Sequence, residues 1–164
     1  MLLLKKVLPP FLIAFTSASS VSAFSLGMET CEKKLGVRKS LASFVYPLGS
    51  VIYMPASVLY FTVLVCVLAE IYQIPVSIPW FFMTIAICTL ITIAIPPIPG
   101  ADILCYSVLF SALGIPREAI VFATTIGVVT DYLVTGSDVM LLIFQIACNA
   151  KRLDGLDRKT LMSD

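Results

Sequence analysis

Carboxylates stand in this sequence where carboxylates are costly. Asp131 and Asp138 are the only charged residues between positions 119 and 150, a stretch that is otherwise largely apolar. They are seven residues apart, about two helical turns, so they share a face, and Thr135 falls on that face between them. A charged side chain at the centre of a membrane-spanning helix costs roughly 2.5–3.5 kcal/mol on insertion scales. Two on one face therefore call for a polar cavity, a cationic partner or a bound proton. The plainer alternative places one or both near a membrane interface. Asp102, just past PPIPG at 96–100, is a third candidate, although a carboxylate at a helix start is also explained by capping and the helix dipole.

Serines make the second cluster. FLIAFTSASSVSAF, residues 11–24, carries Ser17, Ser19, Ser20 and Ser22. Their hydroxyls can pair backbone groups left open by a broken helix, and the amides of a following helix start can hold a carboxylate. With Lys5 and Lys6 ahead of it and V-S-A at its end, the stretch also has the outline of a secretory leader. That reading meets two obstacles. Pro9 and Pro10 should interrupt an apolar leader helix, and cleavage after Ala23 would put the basic segment CEKKLGVRK outside. The stretch is therefore read as part of the working protein.

Other chemistries are absent. There is no histidine, which removes the commonest general base and metal ligand. The cysteines, Cys31, Cys66, Cys88, Cys105 and Cys148, include no CxxC pair and read as free core thiols. The net charge of +1 and the lack of a basic patch interleaved with aromatics give no support to nucleic-acid binding.

The elements that must position these residues are membrane helices. Of 164 residues, 59% are hydrophobic, against about 45–50% in soluble domains. Residues 41–69 and 71–101 contain no Asp, Glu, Lys or Arg, and each run exceeds the roughly 20 residues that span a bilayer. Neither alternates as a β-barrel strand would. Basic residues gather at Lys5–Lys6, at Lys33, Lys34, Arg38 and Lys39, and at Lys151, Arg152, Arg158 and Lys159, with Arg117 alone elsewhere. Placing these three groups in the cytoplasm puts ten of the eleven basic residues inside.

With that orientation segment 7–31 starts and ends inside, and segment 79–116 starts and ends outside. Both must be re-entrant. The expected fold is an all-α integral membrane protein, an inverted repeat of re-entrant hairpin plus broken transmembrane helix, twice. Its parts are the first hairpin and cytoplasmic loop (1–40), an interrupted helix with outer linker (41–78), the second hairpin with its tip at PPIPG (79–117), the last helix (118–150) and a cytoplasmic tail (151–164). Pro47 and Pro55 are read as a kink or as an unwound segment around Tyr53–Ser57. Such inverted repeats mark secondary transporters.

Taken in order, AFTSASS, CEKKLGVRKSLASFVYPLGSVI, PIPGA and GIPREAI resemble the C-terminal half of the dicarboxylate/amino acid:cation symporter family, the glutamate transporter homologues, from about residue 7 to 152. The second stretch is the most specific match. The family's N-M-D-G-T falls on Tyr53, Met54, Pro55, Ala56 and Ser57, and only Met54 is identical. In the last helix Asp131 resembles the carboxylate that pairs with a substrate amino group, and Thr135 is kept. Val134 stands where the family reads an acidic substrate side chain with arginine. Asp138 replaces an asparagine, and Leu142 a sodium-binding aspartate.

The resemblance implies a secondary active symporter of small carboxylates or amino acids, not an enzyme. Its substrate site would be Ser19, Ser20, Ser57, the backbone at Ile98 and Gly100, Asp131, Thr135 and Asp138. A cation site would involve Gly49, Met54, Thr92 and Asp138, with Na+ or H+ as coupling ion and no other cofactor. It further implies lipid and a small-molecule substrate as partners, a six-helix N-terminal scaffold on another chain, a homotrimer where that scaffold is present, and a polytopic inner-membrane protein with a cytoplasmic C-terminus. A non-transporting truncated remnant or assembly subunit is the alternative. An intramembrane aspartyl protease using Asp131 and Asp138 is disfavoured, because those enzymes place their aspartates on separate helices.

Overall fold

In the computed structural model the chain is described over residues 2–94 and 102–162. Regular structure there is helical. Helix α1 (Leu2–Ser17) runs along the last long helix, α7 (Ala119–Arg152). Gly136 allows the approach: a Cβ there would lie 3.0 Å from the Phe11 ring and 3.1 Å from the Phe15 Cβ. Small residues admit close helix contacts where lipid offers no hydrophobic drive.

Pro9 and Pro10 do not interrupt α1, contrary to the sequence expectation. Adjacent prolines remove two donors from one turn, and the freed carbonyls belong to Lys5 and Lys6 near the helix start. The rest of the helix packs along α7.

After a turn at Ala18, α2 (Phe24–Glu29) leads into a π turn (Thr30–Lys34), closed by the Leu35 amide donating to the Thr30 carbonyl at 2.9 Å. Lys6 Nζ donates to the Lys34 carbonyl at 3.0 Å, so the far end of this segment returns to the start of α1. Helices α3 (Lys39–Ile52) and α4 (Pro55–Ile71) follow, with non-helical backbone confined to Tyr53 and Met54. Pro55 opens α4 at a position where its missing donor costs nothing. Pro47 stays inside α3, where the Ser50 hydroxyl donates to its carbonyl at 2.7 Å. Helices α5 (Ile78–Ala94) and α6 (Asp102–Leu113) pack on each other, and the tip expected at 96–100 lies outside the described residues.

Helix α7 is the common spine, 34 residues or about 51 Å long. Its second half joins α1, α2 and α3 in one apolar cluster around Tyr46, Leu35 and Ile143. Its first turns join α4, α5 and α6 in another, around Tyr106, Phe110 and Leu109. The outward faces are apolar too, with Phe44 70%, Val129 73% and Ile78 76% exposed. Large apolar residues on both faces suit a lipid environment.

The tail does not trail away. Val37 and Leu156 pair antiparallel, the Arg38 amide donates to the Gly155 carbonyl and the Asp157 amide to the Gly36 carbonyl, and α8 (Arg158–Met162) packs against the π turn.

Candidate functional site

The break between α3 and α4 is closed by a residue from elsewhere in the chain. Met54 caps α4 only with its backbone, leaving the first amides of that helix open. Asp138 supplies the acceptor. Its Oδ1 accepts the Ala56 amide at 2.7 Å, and its Oδ2 accepts the Ser57 amide at 3.2 Å and the Ser57 hydroxyl at 2.6 Å. A carboxylate at a helix N-terminus also meets the positive end of the dipole. Asp138 is only 7% exposed, yet among the described residues no cation faces it. The helix end takes that role.

Asp131 does different work. It is half-buried one turn before Thr135, whose hydroxyl donates to its Oδ1 at 3.0 Å. Asp102 is the first residue of α6. One turn before Asp131, Gly127 faces the hydroxyls of Tyr106 and Tyr60: a Cβ there would meet them at 2.5 and 3.6 Å. Those hydroxyls are 3.1 Å apart and hydrogen-bonded. Gly127, Asp131, Thr135 and Asp138 thus form one polar stripe on α7, with Asp131 about 6 Å along the axis from Gly127 and about 10 Å from Asp138. The sequence reading missed the tyrosine pair. Its signal was Tyr106 one turn after Asp102, on the same face.

The turn after α1 follows Phe15, whose ring is 6.5 Å from that of Tyr132, the neighbour of Asp131 in sequence. Ala18 turns the chain with φ +47°, a left-handed conformation that costs a non-glycine residue about 1–2 kcal/mol. The Ser17 hydroxyl donates to the carbonyls of Ile13 at 2.7 Å and Ser19 at 3.3 Å. Ser19 and Ser20 are half-buried, and among the described residues neither hydroxyl bonds Asp131 or Asp138. Ile98 and Gly100 lie outside the described residues.

The residues expected to hold a cation lie on α3, in the break, on α5 and on α7. Gly49 is covered by Leu142, whose Cδ1 occupies the space a Cβ would need. The Gly49 carbonyl accepts the Tyr53 amide at 2.8 Å. Met54 lies in the break, and the buried Thr92 donates to the Thr89 carbonyl at 2.9 Å. Both Asp138 oxygens are engaged by α4. Gly49 and Met54 contribute no side-chain oxygen, and leucine fills the gap between α3 and α7.

A family model described as the sodium:dicarboxylate symporter family matches residues 1–144. The proton/sodium-glutamate symport protein of Bacillus subtilis is 29% identical over 121 residues, 73% of this chain and 28% of that protein. The proton/glutamate-aspartate symporter of Escherichia coli is 26% identical over 153 residues, 93% of this chain and 35% of that protein. Human neutral amino acid transporter A is 22% identical over 112 residues, 68% of this chain and 21% of that protein. The chain therefore spans between about a fifth and about a third of the length of these curated relatives.

Proposed function

The chain belongs to the sodium:dicarboxylate symporter family, a family of transporters rather than enzymes, and on that premise we propose that it is the substrate-binding part of a cation-coupled secondary amino acid transporter. The single observation that carries the reading is the Asp131–Thr135 pair on the polar stripe of α7. A carboxylate held at membrane depth, with no side-chain cation paired to it among the described residues, attracts a ligand ammonium group.

The substrate class follows from the same stripe. Val134 offers no positive charge for a second substrate carboxylate, so the favoured substrate has one ammonium and a neutral or basic side chain. Two of the relatives named above are glutamate symporters and one is a neutral amino acid transporter. This chain sides with the latter. Ser19, Ser20 and the backbone at 98–100 would complete the cage. The segments 7–31 and 79–116 would enter the membrane from opposite sides, as gates of one midplane site, with basic residues and the C-terminus in the cytoplasm. A six-helix scaffold would come from another part of the assembly. With Leu142 against Gly49 and Asp138 committed to α4, the coupling ion is H+ or a Na+ held elsewhere.

A second reading, an assembly subunit without transport, is favoured by Pro55 and Leu142, which stand where the resemblance expects cation-binding side-chain oxygens. One experiment separates the two. Purified protein is screened by thermal shift against neutral, basic and acidic amino acids, with and without sodium. The transporter reading expects stabilisation by neutral or basic amino acids, lost in Asp131→Asn. No shift with any amino acid, or an undiminished shift in Asp131→Asn, would refute it.

A further inference from the structure

At the basic end of the molecule, where α3 begins and α7 ends, two open cavities of about 230 and 300 Å³ share Leu41 and Leu153. The first has an apolar floor of Leu41, Val45 and Ile146, with Arg152 on its rim. The second is bounded by Arg38, Ser40 and Phe44. No acidic side chain lines either. Together they make one groove, apolar at depth and flanked by an arginine on each side.

Exposed apolar residues continue from the groove along α3. Phe44, at its edge, is 70% exposed and continues into Leu48 and Val51, exposed residues further along α3. Lys39 and Lys151 neighbour the two arginines in sequence and are exposed. Arg38 is held in place: its Nη2 donates to the Asp154 carbonyl at 3.4 Å, and its backbone amide donates to Gly155 at 2.8 Å. The transport site described above is about 20 Å or more away along α7, judged from Asp138 to Arg152.

We propose that this groove binds an anionic phospholipid, its phosphate between Arg38 and Arg152 and an acyl chain along Leu41, Val45 and Phe44. A soluble anion would use the arginines but leave the apolar floor empty. A zwitterionic lipid would offer the same phosphate but bring a quaternary ammonium to a groove with no acidic side chain in its lining. Basic pockets between membrane helices at the interface are suited to anionic headgroups, at about fivefold in affinity for each basic residue near the surface. The site is independent of transport and does not rest on the function proposed above.

The test uses the full chain in nanodiscs of phosphatidylcholine alone or with phosphatidylglycerol, followed by native mass spectrometry of retained lipid. The expected result is selective retention of phosphatidylglycerol, reduced about fivefold by Arg152→Gln and further by Arg38→Gln combined with it. Arg117→Gln, at the other end of α7, should retain wild-type selectivity. Because Arg38 also braces the tail, the thermal midpoint in phosphatidylcholine alone is measured in parallel, and Arg152→Gln decides where the double variant is destabilised. Equal retention of both lipids by the wild type, unchanged selectivity in Arg152→Gln, or full displacement of the lipid by inorganic phosphate would overturn the proposal.

Discussion

Asp138 of α7 caps α4 through Ser57, 81 positions away, accepting its amide at 3.2 Å and its hydroxyl at 2.6 Å while also accepting the Ala56 amide. A helix that has lost its own N-terminal cap is completed by its neighbour. The polar stripe on α7 is therefore divided between Asp138, which caps α4, and Asp131, which accepts only from Thr135 on its own helix among the described residues.

Removing the cap should show in stability. Asp138→Ala leaves two half-buried amides and a hydroxyl without their acceptor, and should lower unfolding free energy by roughly 3 kcal/mol. Asp138→Asn retains one acceptor oxygen and should lose less. Ser57→Ala should cost about 1 kcal/mol. Denaturant unfolding in detergent checks the order, and an Asp138→Ala midpoint equal to wild type would contradict the capping role.

Gly49 and Leu142 should behave as a coupled pair. Gly49→Ala drives a Cβ into the space of the Leu142 Cδ1, and overpacking of this kind costs about 1–3 kcal/mol. Leu142→Ala alone opens a cavity in a buried cluster, at about 2–5 kcal/mol. The double variant should be less destabilised than the sum by about 1 kcal/mol or more. Simple additivity would mean that leucine does not fill this gap.

Lys6 should act as the pin between the first segment and the tail. Its Nζ donates to the carbonyls of Lys34, Thr160 and Leu161, each at 3.0 Å. Cys31 lies in the π turn beneath, fully buried, while Cys148 is exposed. Lys6→Met removes hydrogen bonds to a charged donor, so Cys31 should react with a thiol reagent about tenfold faster, relative to Cys148 in the same sample. Mass spectrometry of the alkylated peptides gives the ratio, and an unchanged ratio would remove the pin.

Specificity should move with one position. Val134 lies one turn before Asp138 and next to Thr135 on α7. Val134→Arg should shift the preferred ligand toward amino acids with a second carboxylate, by about tenfold or more, since a charge-assisted pair adds roughly 1.5–3 kcal/mol. Competitive thermal shift against neutral amino acids reads it. A preference still for neutral or basic side chains would argue that position 134 does not face the substrate.

Much of this was legible in the sequence, for identifiable reasons. The uncharged runs 41–69 and 71–101 announce membrane helices because lipid penalises charge, and the family follows from ordered stretches such as CEKKLGVRKSLASFVYPLGSVI. The candidate residues Asp131, Thr135 and Asp138 stood out because charge is rare at such depth. Their helical spacing also fixed that they share a side of α7.

What the spacing left open, tertiary contact decided. Asp131 and Asp138 have the same chemistry and lie on the same helix, yet one is spent on the amides of α4 and the other is not. The prolines show the same limit. Pro9 and Pro10 read as an interruption but lie in a continuous α1, while Pro55 starts a helix. Residue type and spacing set which groups need a partner and which turns lack a donor. Whether the partner arrives depends on which helix packs alongside, and that comes from contacts between residues more than eighty positions apart, such as Asp138 with Ser57.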